Sequence, residues 1–250
     1  INEWNDPINV RLLQSSDFYA AQLRAIPERW DDGMQDVISH AVLIFNQCRE
    51  HLTITPKDYH YVYCFCYLPN IISAFIIDRM DYMNESKKET LMSLALEMLE
   101  SLLRYSEIIE GYDPIEGMTS ASQGYHNRGF LYYKLRRWNE AISDYQKALD
   151  SRRFIYEYMP HKENKRVVGE TLVNIGAAQL EWCKENHTVE GHNPIDTAKE
   201  ALSIYESLYN KDYPLSEVDI NKAKQLIATS YYYIGNSEEK QLGLEIMKEI

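Results

Sequence analysis

Apolar residues recur every three or four positions through most of the chain, broken by short polar stretches that carry proline, glycine, asparagine or aspartate. This spacing predicts a helix over residues 9–25, a turn over 26–33 built on Pro27 and Gly33, and a second helix from Met34. Thr55, Pro56 and Asp58 read as a helix start, with threonine as the N-cap, proline in the first helical position and an acid in the first turn. That helix is expected to reach Arg79, with Pro69 kinking or splitting it, because proline removes a backbone donor and clashes one turn back. A polar turn over 81–88 leads to a helix over 89–106, and a loop over 110–117 precedes a helix pair over 125–153. Further helices are expected over 161–185, from Pro194, over 215–235 and from Gly243. Valine and threonine are sparse beside Leu, Ile, Glu, Lys and Tyr, so the pattern is helical throughout.

Within the pair over 125–153, small residues stand at fixed offsets: Gly129, Ala141 and Ala148, with Tyr132, Tyr145 and Leu149 beside them. Antiparallel helices approach closely only where small side chains meet, so these positions mark a helix–helix seam. Ala41, Phe45 and Cys48 repeat the small, aromatic, small spacing, and the segments from Ala95 and from Ala201 share one register. Leu172, Asn174, Ile175 and Gly176 repeat Tyr125, Asn127, Arg128 and Gly129, and Ala228 and Tyr231 continue the series.

With Gly129 as the eighth residue of a 34-residue unit, Tyr125, Gly129, Tyr132, Ala141, Tyr145 and Ala148 fall on the pattern of the tetratricopeptide (TPR) repeat, which the chain therefore resembles. Arg153 stands where that pattern usually has proline, so the second helix is expected to run on towards Met159. The later units are also similar to the long repeats of kinesin light chains. The resemblance implies an all-α fold, a right-handed α-solenoid of antiparallel helix pairs. Residues 1–119 are expected to form about two divergent helix pairs and residues 120–250 about two and a half to three TPR units, the last truncated, in one continuous solenoid.

Charge and cysteine usage narrow the partners. A formal net charge of -12 argues against nucleic acid, whose recognition depends on clustered lysine and arginine, and favours basic or neutral ligands over acidic ones. Cys48, Cys64, Cys66 and Cys183 lie inside apolar helical patterns, which points to a reducing, cytoplasmic compartment. The longest nearly apolar run, residues 71–77, is far shorter than the roughly 20 residues a membrane span needs. The chain begins at Ile1 without methionine and stops at Ile250 inside a helical pattern, the expectation for a piece of a longer protein.

In such repeats the first helix of each unit lines a concave face that holds an extended peptide. The resemblance places groove positions at Gln123, His126, Asn127, Phe130 and Tyr133 in one unit and at Glu170, Val173, Asn174, Ala177 and Leu180 in the next. In the last they are Lys222, Gln225, Leu226, Thr229 and Tyr232. Asn127 and Asn174 share an offset at which an amide can pair with the N–H and C=O of a peptide without reading its side chains. The Tyr125–Gly129 string resembles chaperone-binding repeats that clamp a terminal carboxylate, but Asn70, Ala74, Glu170 and Asn174 stand where the flanking units would need cations.

Other chemistry is thin. Cys64 and Cys66 point to opposite sides of a helix and cannot share a metal, and Cys183, His187 and His192 lack a fourth ligand. Arg152, Arg153, Lys162, Lys165 and Arg166 read as a solvated helix end. No nucleotide loop, nucleophile elbow, zinc or calcium motif occurs, so neither catalysis, metal nor cofactor is expected. The reading is a scaffold for protein or peptide binding. The alternative is the sensor or regulatory segment of a larger effector such as a nucleotide-switch ATPase, a caspase-like protease or a peptide-pheromone receptor. Oligomeric state is not legible.

Overall fold

The computed structural model describes residues 7–25, 32–52, 62–210 and 215–250, and the regular elements among them are all helical. They are α1 (Pro7–Ala25), α2 (Asp32–His51), α3 (Leu68–Arg79), α4 (Glu85–Glu110), α5 (Pro114–Lys134), α6 (Trp138–Tyr158), α7 (Lys162–Asn186), α8 (Pro194–Leu208), α9 (Leu215–Ile234) and α10 (Ser237–Glu249). The expected turn over 26–33 lies, as far as residue 31, outside the described residues, as does the helix start on Thr55, Pro56 and Asp58. The chain divides into two compact units, Ile1–Leu131 and Tyr132–Ile250, with the boundary inside α5.

In the first unit α1, α2 and α3 pack on one another, and α4 packs on α3. Ala41, Phe45 and Cys48 are fully buried, so the small, aromatic, small spacing of α2 is its core stripe. Pro69 splits its helix rather than bending it. A π-helical turn, Tyr63–Tyr67, precedes α3 and leaves Pro69 in the first turn of a new helix, where a missing N–H costs nothing. This turn carries Cys64, whose Sγ lies 3.5 Å from Ser16 Oγ, while Cys48 Sγ approaches the same oxygen at 3.6 Å.

Among the helix starts that differ from the expected ones, α4 opens at Glu85 and not at 89, because Asn84 caps it by accepting from the Lys87 N–H, and two others differ for a similarly local reason. The loop over 110–117 contracts to residues 111–113, because Asp113 caps α5 by accepting from the Glu116 N–H at 3.1 Å and Pro114 takes the first helical position. Gly117 makes this tight connection possible: a Cβ there would lie 2.4 Å from the Glu110 Cα. The last helix starts at Ser237 and not at Gly243. Asn236 Oδ1 accepts from the N–H groups of Glu238 and Glu239, and the Glu239 carboxylate accepts in return from the Asn236 N–H at 2.8 Å, a complete capping box.

In the second unit each helix from α6 to α10 packs on the next, and α7 also packs on α9. Successive helices thus stack as in a helical solenoid, with α7 and α9 in one layer. Ala141, Tyr145, Ala148, Ala201 and Ala228 are buried at the seams. Without a proline to end it, α6 runs past Arg153 to Tyr158.

The basic group near the α6–α7 turn is a correction to the solvated reading. Arg152 is buried and donates to Thr171 Oγ1 at 2.5 Å and to the Val167 carbonyl at 3.3 Å. Burial pulls its pKa down, and the neighbouring Glu170 opposes that. Arg153 pairs with Glu200 at 2.5 Å, and Lys165 donates to Ser207 Oγ at 2.7 Å. Arg166 makes a two-pronged contact with Asp219 of α9.

Candidate functional site: a concavity on first-helix faces

The second unit contains a concavity of about 300 Å³. From α7 it takes Val173, Ala177, Leu180 and Glu181, and from α9 Lys222, Gln225, Leu226 and Thr229. These residues recur every three or four positions, so each set is one face of one helix, and the two helices share a layer. Tyr133, from the end of α5, completes the wall. The floor is the open edge of a core cluster: Leu180 and Leu226 are buried members of it, and Val173 and Ala177 pack against it half-buried.

Local contacts hold the wall. The Tyr133 ring meets Trp138 edge-on at 5.2 Å, and Trp138 Nε1 donates to the Glu185 carboxylate of α7. Burial, and then the nearby Glu181 carboxylate, push the Tyr133 phenol pKa up, so it stays a neutral hydroxyl. Glu181 is paired with Lys184 at 2.7 Å, and Lys222 lies 3.8 Å from Asp219. Thr229 donates to the Gln225 carbonyl at 2.7 Å.

In the first unit, α5 presents its amides to α3. Asn127 Nδ2 donates to Asn70 Oδ1 at 2.7 Å, and Asn70 Nδ2 donates to Gln123 Oε1 at 3.3 Å. His126 and Phe130 lie half-buried on the same helix. Residues 122–152 match the tetratricopeptide repeat family model.

The chain carries a tetratricopeptide repeat. The matched span runs from within α5 through most of α6. No curated protein and no solved structure matches the chain. Inside the tetratricopeptide repeat, Gly129, Ala141, Tyr145 and Ala148 are all buried, which is what its small-residue spacing requires.

Of the sequence-predicted groove residues, Tyr133 and Ala177 share the concavity, together with Val173, Leu180, Lys222, Gln225, Leu226 and Thr229. Asn174 is half-buried on α7, and Glu170 is exposed beside the charges of Arg152 and Arg166. Tyr232 stands outside the concavity, 43% exposed and edge-on to Tyr233 at 5.2 Å. Two residues were missed. Glu181 lies one position past Leu180, and its four-residue step from Ala177 is the signal that could have found it. Asn70 was noted only as a missing cation, and its bond to Asn127 needs the packing of α3 on α5.

Among the described residues no group of three or more His, Cys, Asp or Glu side chains is gathered to hold a metal ion, and no helix is long and apolar enough to cross a membrane. His192 packs edge-on to Trp182 at 4.3 Å, and burial lowers its pKa. All four cysteines are free and buried, and burial pushes the Cys66 thiol up to about 12.

Proposed function

We propose that the chain is a scaffold that binds an extended polypeptide through the first-helix faces of its repeats and performs no catalysis itself. The observation that carries this reading is the concavity on α7 and α9, most of whose lining residues stand at positions for which the resemblance implies a groove. Side chains at period-3.6 spacing from two helices of one layer make a trough, the shape an extended segment needs. Asn127 and Asn174, at one offset of successive units, supply amides that can pair with peptide backbone. The net charge of -12 favours a basic or neutral ligand and disfavours nucleic acid. Four buried, unbridged cysteines support an intracellular setting.

The test compares capture by the wild-type chain and by Asn127→Ala plus Asn174→Ala, both at a temperature below the onset of unfolding of either, since Asn127 also bonds Asn70. Loss of bound polypeptides from the double variant supports the reading. Equal capture of the same polypeptides by both overturns the assignment to these faces.

A further inference from the structure

Resting on the polypeptide-binding reading, and deepening it, we infer that the concavity between α7 and α9 is a side-chain pocket for one neutral, branched aliphatic residue (Leu, Ile or Val) of the bound segment. Its size is the first argument. About 300 Å³ is at the small end of ligand cavities, which suits a peptide side chain and part of its backbone better than a cofactor.

The floor is the second argument. Val173, Leu180 and Leu226 line the concavity together with Ala177, whose single methyl is the smallest of the lining side chains and leaves room that a longer one would take. Because Leu180 and Leu226 already belong to the core cluster, an aliphatic guest extends that core, and the gain comes from apolar area removed from water.

Charge is the third argument. The wall carries one ionic group of each sign, Glu181 and Lys222; Glu181 is paired with Lys184 at 2.7 Å, and Lys222 lies 3.8 Å from Asp219, which it shares with Arg166. The wall therefore asks for no net charge from its guest. A carboxylate lowered onto the floor would meet Glu181 and lose its hydration, and an ammonium would be stripped of water against aliphatic carbon. A neutral apolar side chain incurs neither cost.

The experiment selects random heptapeptides displayed on phage against the full 250-residue chain, then measures fluorescein-labelled synthetic copies by anisotropy. The expected result is a selected set with Leu, Ile or Val at one constant position. Changing that residue to Asp or Lys weakens binding to the wild-type chain by about tenfold or more. Ala177→Leu, which takes that room, weakens the aliphatic peptide similarly but leaves the affinity of its alanine-substituted version unchanged. That comparison separates a filled pocket from a misfolded chain. Selected peptides that depend on Asn127 and Asn174 yet tolerate Asp and Lys at every position overturn the aliphatic pocket and leave the polypeptide-binding reading standing. No enrichment over uncoated beads overturns both.

Discussion

Asn127 of α5 commits an amide N–H to Asn70 of α3, with Nδ2 and Oδ1 2.7 Å apart. Asn70 in turn donates to Gln123 one turn earlier on α5, so three amides form a chain between two helices. Asn127, expected from its offset to meet a ligand, has a structural partner in Asn70. The expected signature is a coupling energy of about 0.5–1.5 kcal/mol in a double-mutant cycle of Asn70→Ala and Asn127→Ala. Urea unfolding of the four proteins measures it, and strictly additive costs would show that the two side chains do not engage in solution.

Arg166 and Asp219 tie α7 to α9 with contacts of 2.6 and 3.2 Å. The Asp219 side chain is 5% exposed, and its other cation, Lys222, is 3.8 Å away. Arg166→Met strands a buried carboxylate and is expected to cost about 3 kcal/mol. Adding Asp219→Asn removes the stranded charge and should recover part of that loss. Denaturation midpoints decide the matter; a single variant as stable as wild type would rule out the tie.

Gly243 sits mid-helix in α10, where a Cβ would come within 2.6 Å of the Ala228 carbonyl of α9. Alanine at an unconstrained helical position gains about 1 kcal/mol over glycine. Here the blocking atom is backbone, so the helices must separate, and overpacking of this kind costs about 1–3 kcal/mol. Gly243→Ala is expected to lower the melting temperature, and a rise would mean that α9 and α10 do not approach this closely.

Glu116, in the first turn of α5, is half-buried, and burial followed by the charge of Asp113 raises its pKa above the ordinary 4.5. The folded state therefore holds this proton more tightly than the unfolded state does. Its contribution to stability is full below about 4.5 and is lost as pH rises through the folded pKa. Glu116→Gln keeps the backbone N–H that Asp113 caps and removes the charge. The variant is expected to be more stable than wild type at pH 7 and equal to it at pH 3. Paired thermal melts at the two pH values test this, and a pH-independent difference would contradict it.

Helices and their seams were legible because they rest on short-range rules. Ala141, Ala148 and Ala201 are fully buried where the small-residue offsets put them, and Pro194 opens α8, its preceding Asn193 capping the Asp196 N–H at 3.1 Å. Where competing local signals occur, the stronger cap wins, as at Asp113 and Asn236, and those starts were misread by several residues. Tyr133, Ala177 and Thr229, which the resemblance proposes for a groove, line one concavity.

The amino-acid sequence by itself determined the helical class and the repeat, since periodicity and capping act within a few residues. Only the tertiary structure decided that Arg152 is buried against Thr171, that Asn70 partners Asn127, and that Ala177 lines one concavity with Leu226. Each of these depends on which two faces meet, and the energy that selects the meeting comes from residues far apart in the chain.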